Sequence, residues 1–296
     1  MRRLLLFALV GVLAQLVDGA LGMAYGVTAS SLLIAGGTTT AVASASVHLA
    51  EVATTFVSGV SHWRFGNVNW RTVRWIAIPG AVGAYVGASV LSNIDGAAAK
   101  PWIAGLLLVL GLYVFARFAF GVNRKPLPER RLRGRFLAPL GLTGGFVDAI
   151  GGGGWGPVTT PALLTAGRME PRTAVGSASA SEFVVSLAAS IGFLTNLGGE
   201  ALDSRIVFGL MLGGVLVAPF AAWLVSRLEA AVLGTLLGTL IVVVNLRTLL
   251  IANDVPGGAR LAVLASATAL GALALLRVHR AVKANAVADA SQLETV

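Results

Sequence analysis

Apolar residues along this chain come in long blocks, not in alternation. Two sets of four blocks fall at about 3–36, 41–61, 72–92 and 101–120, then at 135–167, 172–195, 204–226 and 230–251. A ninth, at about 258–279, has no partner, and the polar tail VKANAVADASQLETV behind it is expected to fray. Blocks of this length cross hydrocarbon as helices, so the pattern predicts an all-α polytopic membrane protein. The first block of each set is too long for one crossing. Residues 3–36 as a single helix would run about 51 Å, against a core of about 30 Å. Glycines split both long blocks into pieces of roughly fifteen residues. Each is therefore expected to be a broken, glycine-rich helical hairpin that returns to its own side, followed by three crossings.

The two sets repeat one another. LVDGALGMAYGVTASSLLIAGG (16–37) aligns with FVDAIGGGGWGPVTTPALLTAG (146–167), bringing Asp18 to Asp148, Tyr25 to Trp155 and Gly26 to Gly156. AVASAS (41–46) then aligns with AVGSAS (174–179), and Arg71, Val73, Gly80 and Ala84 with Arg205, Val207, Gly214 and Ala218. Two tandem homologous halves of this kind build secondary transporters. An odd number of crossings per half would invert one half relative to the other; a single long tilted span in place of the hairpin would leave them parallel. The expected organisation is a first repeat over 1–120, a basic linker over 121–135, a second repeat over 136–252, and an extra C-terminal helix with its tail over 253–296. The start, MRRLLLFALVGVLAQLVDGA, imitates a signal peptide, but its place in the repeat argues that it is kept.

Composition sharpens the class. Only 12% of residues are charged, 56% are apolar, and the mean hydropathy is +0.83. A soluble domain carries roughly twice that charge. The net charge of +9 is spread between apolar blocks, where Lys and Arg set orientation, so it is no nucleic-acid footprint. In the hairpin arrangement most of the basic residues share one side, including Arg64, Arg71, Arg74, Arg117, the run RKPLPERRLRGR, Arg277, Arg280 and Lys283. That side is the expected cytoplasmic one, leaving the N-terminus outside and the C-terminus inside a bacterial-type plasma membrane. The linker reads as a topology anchor, with anionic headgroups as a sharper alternative. With no cysteine and three histidines outside any HxxxH spacing, neither a metal site nor a cofactor is expected.

The breaks carry the candidate chemistry. A helix restarting inside a membrane offers free N–H groups and a positive dipole end to an anion, and glycine lets a ligand approach the backbone. Gly22, Tyr25, Gly26, Thr28 and Ser46 in the first half, and Gly152, Gly153, Gly154, Trp155, Gly156, Thr159 and Ser179 in the second, are the candidate substrate contacts. Tyr25 and Trp155 would either wall the substrate or plug the gap at the bend. Gly80, Gly83 and Gly87 read as close helix packing. Asp18 and Asp148 are costly at this depth; each is either a coupling group or a cap for the restarting helix. Ser44, His48, Glu51, Thr55 and Ser58 share one face of the second block, as do Ser179, Glu182, Ser186 and Ser190 in the other half. His48, Glu51 and Glu182 join the aspartates as candidate coupling or gating groups.

The paired VDGALGMAYG and VDAIGGGGWGPV hinges, each followed by AVASAS or AVGSAS, resemble the TauE/SafE sulfite exporter family over about residues 10–250. The resemblance implies a plasma-membrane carrier of sulfite, sulfoacetate or related organosulfonates. Leu21, Met23 and Ala24 stand in the first hinge where the second has glycines, so the halves need not act equally. The partners expected are a small anion and the bilayer, with self-association left open. A channel would need a continuous polar path. A hydrolase using Ser177 or Ser179 with His48 has no GxSxG or HExxH pattern behind it, so the chain is not expected to be an enzyme.

Overall fold

The computed structural model describes residues 2–21, 25–121, 132–165, 169, 171–199, 202–225 and 230–293. Among these residues the regular structure is essentially all α-helix. The first half gives α1 (Arg2–Leu21), α2 (Tyr25–Ala35), α3 (Thr40–Arg64), α4 (Trp70–Ser92) and α5 (Gly96–Phe120). The second gives α6 (Gly134–Gly151), α7 (Trp155–Thr165), α8 (Pro171–Leu197), α9 (Ser204–Val225) and α10 (Ala230–Ala252), before α11 (Gly257–Leu293). Six of them, α3, α4, α5, α8, α10 and α11, are long and apolar enough to cross a membrane. The second long first block is split at 152–154, and residues 22–24, between α1 and α2, lie outside the described residues. Most of the basic linker, 122–131, lies outside the described residues.

Local chemistry sets several boundaries. Asn69 caps α4 by accepting the Thr72 N–H at 3.1 Å, and Asp95 caps α5 by accepting that of Ala98 at 3.1 Å. The second cap starts α5 five residues before the apolar block does. The tail expected to fray is instead helical to Leu293. Alanine-rich sequence such as AVKANAVADA favours helix without needing an apolar face, so the helix outlasts the hydrophobic pattern.

Close helix contacts fix relative directions. Gly141 lies against Ile76, Gly145 against Gly80, and Gly87 against Phe146 and Ala149, so α6 runs parallel to α4. Gly209 lies against Leu4 and Phe7, and Gly213 against Ala8 and Val12, so α9 runs parallel to α1. These glycines bring backbone onto backbone, the packing expected of small residues in membranes. Gly80, Gly83 and Gly87 are used in this way. In contrast, Gly59 meets Ala180 and Glu51 meets Ser186, so α3 and α8 are antiparallel. Gly111 meets Ile241, Phe115 meets Gly238 and Phe118 meets Gly234, so α5 and α10 are antiparallel as well.

The second break turns the chain back. Thr159 and the Trp155 ring both reach Gly144, seven residues before α6 ends, so α7 returns alongside α6. The outer surface is apolar, with Trp102, Leu261, Leu270 and Leu273 exposed. The polar stripe of α3 is turned inward, with Ser44, His48, Glu51 and Thr55 buried.

Candidate functional site

Asp148, on the last turn of α6, holds both ends of the second break. Gly152 closes the helix at a left-handed φ of 65°, its N–H directed at the Asp148 carbonyl. The Gly153 N–H reaches the same oxygen at 3.0 Å. A glycine free to adopt positive φ makes this paired closure available. The side chain then takes the next two amides. Gly154 N–H donates to Oδ1 at 2.7 Å and Trp155 N–H at 2.9 Å. One residue therefore satisfies the four consecutive amides of 152–155, where hydrocarbon could satisfy none. Pro157 has no N–H, and in this first turn of α7 the Gly156 amide is left without an acceptor among the described residues.

The second carboxylate oxygen of Asp148 faces His48 Nε2 at 3.1 Å, both side chains being buried. His48 Nδ1 lies 2.8 Å from the Ser44 carbonyl, which can only accept, so Nδ1 carries a hydrogen. The Nε2–Oδ2 bond then needs one shared proton. Imidazolium with carboxylate, or imidazole with the acid, gives the same net charge of zero for the pair. Ser44 Oγ donates to the Ala149 carbonyl, which ties α3 to the end of α6 a second time.

The start of α2 meets the second break here. A Cβ on Gly26 would lie 2.5 Å from Gly153 Cα, 2.7 Å from the Gly152 oxygen and 2.8 Å from Glu51 Oε1. Gly153 itself holds φ at +146°, and Ser30 Oγ donates to the Gly152 carbonyl. The start of α2 thus rests directly on the tip of the α6–α7 hairpin.

Glu51, three residues beyond His48, is 1% exposed. Its Oε2 accepts a long hydrogen bond from Ser186 Oγ, 3.4 Å, and Asp148, Glu182 and Asp18 act on it electrostatically. Asp18 and Glu182 are half-buried. Asp18 accepts the Tyr25 N–H, the same seven-residue reach by which Asp148 takes that of Trp155. The halves then differ. The serine-motif alignment places Ser181 opposite His48, and Ser181 Oγ donates only to its own helix, at Ser177 and Ala178.

The two aromatics are packing and hydrogen-bonding groups. Trp155 is fully buried; its ring lies against Gly80 and Gly144, and Nε1 donates to the Ala178 carbonyl at 3.1 Å. Tyr25 lies against Gly214 and donates its hydroxyl to the Leu210 carbonyl at 3.1 Å. Each half's aromatic therefore rests on the matching glycine of the other half, Gly80 or Gly214. Thr159 Oγ1 donates to the Trp155 carbonyl at 2.6 Å. Thr28 and Ser46 are buried with hydroxyls that have no partner among the described residues, and Ser179 is buried. Gly22 lies outside the described residues. Sequence reasoning passed over Ser30, although it stands one turn beyond Gly26 on α2, and the buried Asn245–Ser31 hydrogen bond of 2.8 Å between α10 and α2.

Residues 7–248 match the family model described as sulfite exporter TauE/SafE. The chain belongs to the TauE/SafE family. This TauE/SafE protein is 52% identical to the probable membrane transporter protein YtnM of Bacillus subtilis (strain 168), over 84% of each chain. It is 26% identical to a probable membrane transporter protein of Xylella fastidiosa (strain 9a5c), over 72% of this chain and 81% of that one. A third relative, a probable membrane transporter protein of Haemophilus influenzae, is 30% identical over 53% of this chain and 60% of that one. No solved structure matches. The TauE/SafE chain is thus a multi-pass membrane transporter and not an enzyme.

Proposed function

We propose that the protein exports a small sulfur-containing oxyanion, such as sulfite or an organosulfonate, across the plasma membrane by alternating access. The substrate class follows the family's description. The observation that carries the mechanism is the contact of α2 with the second break, Gly26 on Gly153, beside the buried Asp148–His48 pair. Backbone in contact at that point closes the path, which favours a carrier over an open channel. Amides at 152–155 are engaged by Asp148, so the anion is assigned to donors still unspent: the Gly156 N–H and the hydroxyls of Thr28 and Ser46.

The halves are read as inverted repeats. Equivalent helices running antiparallel, α3 against α8 and α5 against α10, support this. The side bearing Arg64, Arg71 and Arg117 is assigned to the cytoplasm by its charge. Export of an anion from a cell negative inside is then electrically downhill, by about 2.3 kcal/mol per charge per 100 mV.

The test is flux of sulfite, sulfoacetate and chloride in proteoliposomes, with membrane potential and pH gradient imposed separately. Sulfur-anion flux that follows the potential is expected. Chloride moving as fast as either sulfur anion would remove the selectivity, and no sulfur anion moving would remove the substrate class.

A further inference from the structure

Carboxylates lie beside the contact of α2 with the hairpin tip, Glu51 next to Gly26 and Asp148 on the Gly154 and Trp155 amides. Asp148 is accounted for, since its pairing with His48 leaves no net charge. Glu51 is not. It is 1% exposed, and among the described residues no cationic side chain is one of the groups acting on it. Facing it are Asp18 from α1, Tyr25 from α2, Asp148 from α6, and Glu182 with Ser186 from α8, with His48 one turn away on α3 already committed to Asp148. Among the described residues the one hydrogen bond to its side chain is the 3.4 Å contact with Ser186. Ser190, one turn further along the same face of α8, has a buried hydroxyl with no partner. No group of three or more His, Cys, Asp or Glu among the described residues converges closely enough to hold a metal ion.

An ionised carboxylate in such a place has neither a counter-charge nor enough hydrogen bonds, and burial penalises it heavily. It would also repel the anion. A carboxylic acid removes both costs and adds something useful. Its O–H is a donor beside the contact of Gly26 with Gly153, where a Cβ on Gly26 would lie 2.8 Å from Oε1, and an oxyanion is an acceptor. We infer that Glu51 is held as the neutral acid in the closed site and serves the transported oxyanion as a hydrogen-bond donor. This rests on the anion-carrier reading and gives that site a selectivity device, because chloride accepts a directed O–H less well than a sulfonate oxygen does. The proton stays on Glu51 throughout, so the anion crosses alone and carries its charge. A potential of about 100 mV should then bias a monoanion about 50-fold.

Two measurements test the inference. The first needs no substrate: infrared spectroscopy of the reconstituted protein near neutral pH, wild type against Glu51→Gln. A carbonyl-stretch band from a protonated carboxyl, present in wild type and missing in Glu51→Gln, is expected. No such band in wild type, or the same band in the variant, overturns the inference. The second is sulfoacetate flux across about pH 6 to 9, where the charge of the solute itself is constant. Wild-type flux should fall toward the alkaline end as Glu51 ionises. Glu51→Gln, a neutral donor at every pH, should keep most of the flux and lose that fall, whereas Glu51→Leu should lose most of the flux. Proton movement accompanying the anion, read with a trapped pH dye, overturns the donor role in favour of cotransport. If the band behaves as expected and no sulfonate moves in any variant, the anion reading fails while Glu51 as a neutral acid stands.

Discussion

Gly153→Ala tests the contact of α2 with the second break most directly. Two independent penalties apply at this position. The backbone holds φ at +146°, which L side chains rarely adopt, and forcing one there costs of order 1–3 kcal/mol. The added methyl would also land on the Gly26 carbonyl carbon and the Val27 nitrogen. Both are backbone atoms of α2 and cannot swing aside as a flexible side chain would, so the tip and α2 must separate. Overpacking of that kind costs about 1–3 kcal/mol. The sum is about 2–6 kcal/mol, concentrated at the contact of Gly26 with Gly153. Gly144→Ala is the control on the same hairpin. Its methyl would meet Thr159 and the Trp155 ring at 3.5 Å, ordinary contact, and replacing a helix-interior glycine gains up to about 1 kcal/mol. Thermal unfolding in detergent, with flux in proteoliposomes, reads both. Gly153→Ala should melt lower and transport poorly, while Gly144→Ala should melt at or above wild type. Equal melting and equal flux for the two variants would refute the packing of α2 on the hairpin tip.

Three other outcomes follow from the same geometry. His48→Ala leaves Asp148 buried without its partner and should cost about 3–5 kcal/mol in unfolding, with His48→Gln milder because an amide can still donate; wild-type melting of His48→Ala would show that pairing at Oδ2 is unimportant. Trp155→Phe keeps most of the ring against Gly80 but loses the 3.1 Å bond to the Ala178 carbonyl, a loss of about 1 kcal/mol, whereas Trp155→Ala should cost about 3–5 kcal/mol; similar melting of the two would mean the ring is not packed as described. The chain has no native cysteine, so Phe65→Cys and Ile94→Cys, at the two ends of α4 and both exposed, should react with an impermeant thiol reagent from opposite sides, Phe65→Cys from the cytoplasm. Labelling of both from one side would overturn the crossing by α4, and a swapped result would overturn the charge-based orientation.

Much of the architecture was legible along the chain because its causes are local. Crossing a bilayer is a matter of apolar length, so the blocks at 41–61, 72–92 and 230–251 became α3, α4 and α10 with only their ends adjusted. A glycine run breaks a helix wherever it falls, so 152–154 was visible as a break. The matches of Tyr25 with Trp155 and of Gly80 with Gly214 were visible too, since they need only the order of residues. The far end of α11 was misjudged because hydropathy, and not helix propensity, was used to end it.

What the chain alone left open was every choice between partners distant in sequence. Asp148 reads equally as a coupling group or a cap until the Gly154 and Trp155 amides are seen on one of its oxygens and His48, a hundred residues earlier, on the other. Trp155 reads equally as a substrate wall or a plug until its ring is found against Gly80. Glu51 and Ser186 are polar positions on two separate helices until the antiparallel packing of α3 on α8 joins them. Hydropathy and glycine content act on a segment by itself, so sequence determined an all-helical membrane protein with a helix broken at its glycine run. Hydrogen bonding and charge burial are settled between segments, and a buried group's role depends on which neighbour satisfies it, so only the tertiary structure decided which carboxylate is paired, which is capped and which stands alone.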